Sequence, residues 1–235
     1  MKKFDIKLSI IIPVFNEKKT IIKLLNKIKK LKKLKKQIIV VDDGSTDGTR
    51  KILKNNRHLI NKLIFHNKNT GKGAAIKTAT KFIRGKIVII QDADLEYYPI
   101  DYYKLLNYID KGYQVVYGSR VLGRNRYSSK NFSSFMRIFY NHILTILSNI
   151  LNNQNLTDAH TCYKMFNSNI FKKIKLYENG FSFCPEITTK IALNEIKIKE
   201  VPIKYSGRSY HEGKKITYLD GFKAIKTLFK YRFFI

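Results

Sequence analysis

Cysteine, acidic side chains and long apolar runs are all scarce in this chain of 235 residues. The two cysteines, Cys162 and Cys184, stand far apart with no CxxC spacing. That excludes a zinc ribbon and a disulfide framework and leaves reduced, buried thiols of a cytoplasmic protein as the expectation. Only 17 Asp and Glu face 46 Lys and Arg, a formal net charge of +29. The excess attracts nucleic acid, anionic lipid and phosphorylated small molecules alike, so charge alone identifies no partner. The apolar run from Leu8 to Phe15 is short and ends in Asn16-Glu17, unlike a signal peptide, and no stretch approaches the length of a membrane span. A G-x-G-x-x-G fingerprint is missing as well. Gly71-Lys72 fails as a P-loop because His66 stands at the first glycine position and Gly73 follows the lysine. Asp43, Ser45, Asp47 and Gly48 open like an EF-hand loop, but Lys54 stands where its bidentate Glu belongs, which excludes that calcium site.

What the chain does contain is a repeating alternation. Leu8 to Val14 is a continuous apolar run, as expected of a strand buried on both faces. From Lys18 to Lys36, apolar residues recur at helical spacing, among them Ile21, Leu24, Leu25, Ile28, Leu31 and Leu34, with lysine on the other face. The unit repeats with strands at Gln37 to Val41, Lys62 to Phe65 and Lys86 to Ile90. Their helices start near Thr49 and run from Ala74 to Phe82 and from Pro99 to Ile109. This predicts an α/β fold, a mostly parallel sheet flanked by helices, in which ligands bind beyond the carboxyl ends of the strands. The second half is less regular, with a strand at Gln114 to Tyr117, a basic loop from Arg120 to Lys130 and an amphipathic segment from Phe132 to Leu151. No linker or repeat divides the chain, so a single domain over 1–235 is expected.

Acidic residues, few as they are, gather at strand ends. Asp92 and Asp94 leave the end of one apolar run two residues apart, a spacing suited to gripping a hard divalent cation, though an Asp-rich turn with Asp94 as a helix cap would read the same way. Asp42-Asp43 ends another run. Paired acidic strand ends point to a nucleotide and metal site.

Five strings in order carry a resemblance: SIIIPVFNE (Ser9 to Glu17), VVDDGSTDGT (Val40 to Thr49), NTGKGAAIKTA (Asn69 to Ala79), QDADLEYYP (Gln91 to Pro99) and GSR (Gly118 to Arg120). It continues through TDAHTCYKMF (Thr157 to Phe166), FCPEI (Phe183 to Ile187) and RSYHEGKKI (Arg208 to Ile216). The chain resembles family 2 glycosyltransferases with a GT-A fold, most closely those acting on polyprenyl phosphates, such as dolichyl-phosphate mannose and glucose synthases. The resemblance implies that Pro13, Phe15, Glu17 and Asp43 line a nucleoside pocket and that Asp92 and Asp94 form a DxD motif holding Mg2+ or Mn2+. Gly71-Lys72-Gly73 opens a helix, which suits Lys72 to a place near phosphate, though a plain helix start would read the same way. The resemblance further implies that Arg120, and Arg137 in the following helix, hold the phosphate of the lipid acceptor, with Arg208, Lys214 and Lys215 as further phosphate-binding candidates. Glu186 falls where many family members carry a base, and Asp158 has an active-site or loop-fixing role.

The implied activity is inverting transfer of a hexose from a nucleotide-diphosphate sugar to polyprenyl phosphate. The string EGKKI (Glu212 to Ile216) leans toward the glucosyl branch and a UDP-sugar, with GDP-mannose as the other donor. The division of labour would be a donor half over 1–120 and an acceptor and membrane half over 121–235. Phe132 to Leu151 and Tyr218 to Ile235 mix large apolar residues with cations, as interfacial helices on an anionic membrane surface do. The expected placement is therefore peripheral, at the cytoplasmic face, with a membrane-protein partner as a further candidate and no nucleic acid. Two rivals stay open: transfer to a glycan or lipid-linked oligosaccharide hydroxyl, which would need Glu186 as a true base, and a non-catalytic basic module binding membrane or nucleic acid.

Overall fold

The computed structural model describes residues 6–123, 132–208 and 218–234. Its centre is one seven-stranded sheet in the order β3-β2-β1-β4-β6-β5-β7. The strands are β1 (Leu8–Val14), β2 (Lys36–Asp42), β3 (Lys62–Phe65), β4 (Ile87–Ile90), β5 (Val115–Ser119), β6 (Lys164–Asn167) and β7 (Ile198–Pro202). All run parallel except β6, which pairs antiparallel with β4 on one side and β5 on the other. Inserting one reversed strand lets β5 and β7 return to the direction of β1, so the exits of β1, β2, β4 and β5 share a rim with the entrance of β6. The apolar runs of β1, β2 and β4 are buried on both faces, as strands covered by helices must be.

Pro13 sits in the central strand without breaking it. Ile11 O accepts Gln91 N–H and Val14 O accepts Asp43 N–H, so odd-numbered residues of β1 face β4 and even-numbered ones face β2. The β4 ladder ends at Ile11, and Pro13 therefore lacks its N–H on the side where the chain has already turned away.

The helices are α1 (Ile21–Lys29), α2 (Thr49–Asn55), α3 (Lys72–Thr80), α4 (Tyr102–Asp110), α5 (Phe132–Asn152), α6 (Ser168–Lys173), α7 (Phe183–Leu193) and α8 (Tyr218–Phe233). In α1, Ile21, Leu24, Leu25 and Ile28 make a fully buried stripe, each contributing roughly 1.5–3 kcal/mol of transfer free energy. The helix is shorter than its periodicity indicates: Leu31 and Leu34 are buried from the following turn, whose carbonyls accept the ammonium of Lys36 as the chain enters β2. The segment expected to be helical from Pro99 begins as a 3-10 turn over Pro99–Asp101, and α4 follows. Helix α8 packs on α5 and α7. It buries Ala224, Leu228 and Tyr231 while Phe222, Phe229, Phe233 and Phe234 stay exposed. On α5, Phe139, Tyr140, Ile143, Ile146 and Ile150 are exposed too.

Candidate active site

The turn leaving β4 organises the site. Gln91 is buried and accepts the hydroxyls of Tyr102 and Tyr163, each at 2.6 Å, while its amide donates to Asp92 O at 2.8 Å. This fixes the chain just before the two aspartates. Leu95 then takes φ 65°, a left-handed conformation costly for a residue with a Cβ, and the turn brings Glu96 N–H to Asp94 Oδ1 at 3.1 Å. Asp92, Asp94 and Glu96 are thereby crowded together. Burial, then the charges of Asp92 and Glu96, push the Asp94 carboxyl up to about 7.

Two tethered cations answer this charge. Lys72 Nζ lies 2.5 Å from Asp92 Oδ1. Burial opposes the charge on Lys72, and Asp92 outweighs it, so the ammonium is held well above the usual lysine range. Arg208 forks onto Glu17, with Nη2 at 2.9 Å from Oε1 and Nη1 at 3.1 Å from Oε2, and its Nη2 is 3.6 Å from Asp94 Oδ2. The backbone around Arg208 is pinned to Glu96: Ser206 N–H donates to Glu96 O, Arg208 N–H to Oε1 at 2.7 Å and Tyr205 Oη–H to Oε2 at 2.7 Å. The structure thus places Arg208 beside Glu17, Asp94 and Glu96.

Glu17 is delivered by β1. Asn16 adopts φ 50° and is braced by Ser45 Oγ, while Glu17 N–H donates to Thr49 Oγ1 at 2.9 Å and Thr20 Oγ1 donates to Glu17 Oε2 at 2.6 Å. Pro13 and Phe15 are half-buried nearby along the chain. Asp43, at the exit of β2, has its carboxylate taken by Thr70 N–H, Thr70 Oγ1, Gly71 N–H at 2.7 Å and His66 Nδ1 at 2.7 Å. Its structural work is to hold the segment 66–71 that leads into α3.

Lys72 itself is held from behind. Gly71 has φ +102°, and a Cβ there would collide with Asn179 O, as one at Gly73 would with Glu178 O. Ala74 N–H donates to Asn179 O at 3.0 Å, and Lys77 Nζ reaches Tyr177 O at 2.7 Å and Asn179 Oδ1 at 2.6 Å. The glycines are what let the segment 177–180 lie directly on the start of α3.

A second charged centre opens at the exit of β5. Arg120 donates to Asp158 from its backbone N–H at 3.0 Å, from Nε at 2.7 Å to the same oxygen, and from Nη2 to Oδ1 at 2.7 Å. Burial opposes both charges, but each partner outweighs it, so the arginine is held well up and the Asp158 carboxyl below the usual carboxylate range. Asp158 is fixed in turn by Glu200, which accepts its N–H at 2.9 Å and that of Thr157 at 2.6 Å. The Arg120 guanidinium lies 5.3 Å from the Tyr205 ring centroid, and Tyr205 packs on Tyr97 at 5.1 Å. One tyrosine therefore joins the centres, its hydroxyl on Glu96 and its ring on Arg120. Of the two roles open for Asp158, its contacts are those of a residue that orients Arg120.

Glu186 stands at the start of α7, behind the segment 177–180. It is fully buried, accepts Tyr177 N–H at 2.7 Å and Glu178 N–H at 2.9 Å, and pairs with Lys190 at 2.7 Å. That set of partners anchors the segment 177–180 and leaves its carboxylate committed to structure. The side chain of Arg137 and all of Lys214 and Lys215 lie outside the described residues. Cys162 and Cys184 are free and buried, and burial, then Asp92, push the Cys162 thiol well up, which keeps it protonated. Sequence reasoning missed Glu96, Tyr97, Tyr205 and Glu200. Glu96 and Tyr97 lay in plain view inside QDADLEYYP, whereas Tyr205 and Glu200 belong to a strand and its exit that carried no motif.

As to a cation, Asp92 and Asp94 offer two hard oxygen ligands in a crowded acidic turn, while among the described residues no three His, Cys, Asp or Glu side chains are grouped to enclose an ion. Two carboxylates completed by phosphate oxygens is the usual protein contribution to a Mg2+ site, so the residues fit such an ion.

The profile of "Glycosyl transferase family 2" matches residues 9–175, more than half of the chain. The chain is 30% identical over 231 residues to the uncharacterized protein MJ1222 of Methanocaldococcus jannaschii, covering 96% of this chain and 92% of that one. It is 28% identical over 218 residues to the dolichyl-phosphate beta-glucosyltransferase ALG5A of Trichomonas vaginalis, covering 85% of this chain and 65% of the relative. Among solved structures it is similar to glucosyl-3-phosphoglycerate synthase of Mycobacterium tuberculosis, crystallised with Mn2+, UDP and glucosyl-3-phosphoglycerate, with a TM-score of 0.68, 18% identity and coverage of 96% and 79%. The mixed α/β sheet is thus the fold that the sequence resemblance implied. Motifs at the strand exits, sheet order and profile agree: the chain belongs to glycosyl transferase family 2.

Proposed function

We propose that the protein transfers a hexose, with inversion, from a nucleotide-diphosphate sugar to the phosphate of a polyprenyl lipid at the membrane face. The observation that carries this reading is the juxtaposition of an acidic, cation-ready turn with the Arg120 centre across a single tyrosine. The residues before Arg120, joined by Arg208, form the donor side, and Arg120 with the remainder forms the acceptor and membrane side. The dolichyl-phosphate relative supports a lipid phosphate as acceptor and glucose as the sugar, and the crystallised UDP complexes of a structural neighbour support a UDP-sugar.

The residues divide the work as follows. Glu17, Pro13 and Phe15 bound the nucleoside side, and Asp43 keeps the 66–71 segment in place against it. Asp92 and Asp94 would hold Mg2+ or Mn2+, which when bound supplies Lewis-acid stabilisation of charge on the departing diphosphate. Lys72 and Arg208 stand beside those carboxylates, within reach of the same phosphate oxygens. Arg120 keeps Nη1 free of any acceptor among the described residues and presents it to the acceptor phosphate, while Asp158 fixes its orientation. A phosphate monoester has a second pKa of about 6, so near neutral pH its attacking oxygen is already largely deprotonated and needs no side chain as base. Attack of the phosphate oxygen on the anomeric carbon, in line with the breaking bond to the nucleoside diphosphate, gives the inverted glycosyl phosphate and releases the diphosphate.

Reach to a lipid comes from α5 and α8. Among the described residues no helix is long and apolar enough to cross a membrane. The exposed Ile150 at 73%, Phe222 at 71% and Phe234 at 80%, beside Lys223, Lys226, Lys230 and Arg232, suit the surface of an anionic bilayer. The test is to incubate the purified protein with polyprenyl-phosphate-bearing membranes, Mg2+ or Mn2+, and labelled UDP- and GDP-sugars. Label extracted into organic solvent supports the reading, and label that stays aqueous with every donor refutes it.

A further inference from the structure

We propose that Lys72 and Arg208 are tethered stand-ins for the divalent cation, so that the metal binds together with the nucleoside diphosphate and not ahead of it. This rests on the donor site proposed above. Each carboxylate of the Asp92-Ala93-Asp94 turn already faces an internal cation: Lys72 Nζ is 2.5 Å from Asp92, and Arg208 Nη2 is 3.6 Å from Asp94 while it forks onto Glu17. A free metal ion arriving alone must compete with an ammonium for Asp92 and settle beside a guanidinium. Lys72 would then lose its partner in a partly desolvated turn, and Arg208, still forked onto Glu17, would face the incoming positive charge at close range; both are unfavourable.

A nucleoside diphosphate changes that balance. Its oxygens offer the displaced ammonium and guanidinium new anionic partners and complete the coordination that the protein leaves short, since two carboxylates are the ligands this turn supplies. Neither cation can withdraw by moving its backbone. Lys72 starts a helix whose flanking glycines lie against Glu178 and Asn179, and Arg208 N–H is bonded to Glu96. The exchange is therefore by side-chain rotation at fixed Cα positions. Arg208 Nε is buried without a hydrogen-bond acceptor in the present arrangement, so the guanidinium has a donor left to satisfy when it turns.

The experiment measures Mn2+ binding to the full chain by electron paramagnetic resonance, with and without UDP or GDP, for the wild type, Lys72→Met, Lys72→Arg and Arg208→Gln. For the wild type, nucleotide should tighten Mn2+ binding by about tenfold or more. Without nucleotide, Lys72→Met and Arg208→Gln should each bind Mn2+ about tenfold more tightly than wild type because a competing cation is gone, and Lys72→Arg, which keeps the charge, should stay near wild type. Equal Mn2+ affinity of the wild type with and without nucleotide would overturn the proposal, as would Lys72→Met binding no more tightly than Lys72→Arg. A thermal melt on each variant separates misfolding from these outcomes, and a misfolded Lys72→Met leaves the decision to Arg208→Gln. Failure of the wild type to bind Mn2+ with either nucleotide would remove the donor-site reading itself, a result distinct from altered ordering.

Discussion

Replacing Glu186 by Gln tests whether this carboxylate is a base or an anchor. Gln matches Glu in size and keeps one carbonyl oxygen, but its amide nitrogen cannot accept a hydrogen bond. One of the two backbone N–H groups at Tyr177 and Glu178 would be orphaned, and Lys190 would lose its charged partner. A charge-assisted hydrogen bond contributes about 1.5–3 kcal/mol, and breaking a buried ion pair costs about 3–5 kcal/mol. Because an amide oxygen remains, the expected loss is about 3 kcal/mol, or roughly 6–12 °C in Tm for a domain of this size. As an anchor for the segment 177–180, the variant should keep kcat within about threefold of wild type below its melting temperature, since a phosphate nucleophile needs no base. The measurements are a thermal melt and initial rates at saturating donor. A loss of about a thousandfold in kcat with Tm unchanged would refute the reasoning and favour a hydroxyl acceptor activated by Glu186.

Other outcomes follow from the same geometry. Gly71→Ala should destabilise the fold by about 2–4 kcal/mol, from φ +102° and a collision with Asn179 O, whereas Gly48→Ala, at φ +97° with open space around it, should cost only about 1 kcal/mol; chemical denaturation compares the two. Burial, then the charge of Lys164, lowers the His160 pKa from 6.5 to about 4, so the folded state takes up its proton later than the unfolded chain. Its stability contribution is full above pH 6.5 and lost as pH falls toward 4, and His160→Gln should flatten that part of the stability curve by up to about 3 kcal/mol in denaturation at stepped pH. The combined substitution of Phe222, Phe229 and Phe233 by Ser should weaken binding to anionic vesicles by about tenfold or more in a flotation assay, with Tm nearly unchanged because these rings are exposed.

The first half of the fold was legible because each strand there is a continuous apolar run bounded by its turn. Leu8–Val14 and Lys62–Phe65 have the bounds that the pattern gives. In the second half the strand expected at Gln114 to Tyr117 and the amphipathic segment from Phe132 to Leu151 correspond to β5 and α5, but β6 and β7 escaped. Strand β6 begins with Lys164, a fully buried lysine whose ammonium donates to Ala159 O and lies 3.6 Å from the centroid of Tyr117, so its four residues look like a polar turn until the neighbours are known. In β7, Ile198–Pro202 sets Lys199 and Glu200 side by side between two apolar residues at a sheet edge, so neither an apolar run nor an alternation marks it. Motifs placed Asp92, Asp94, Glu17 and Lys72 on neighbouring turns. They could not tell that Arg208 would join them, because that meeting depends on Glu96 bonding a segment 112 residues away.

The single reversed strand also dictates how the molecule can be handled. Because β6 enters where its neighbours exit, the loops feeding β5 and β7 gather at the far end of the sheet, and Lys111 and Glu195 in those loops are exposed. A fluorophore or surface tether attached at either position would leave the carboxylate turn, Tyr205 and the Arg120 pair clear at the opposite rim. Single-molecule or immobilised formats could therefore be built on this chain without obstructing that rim of the sheet.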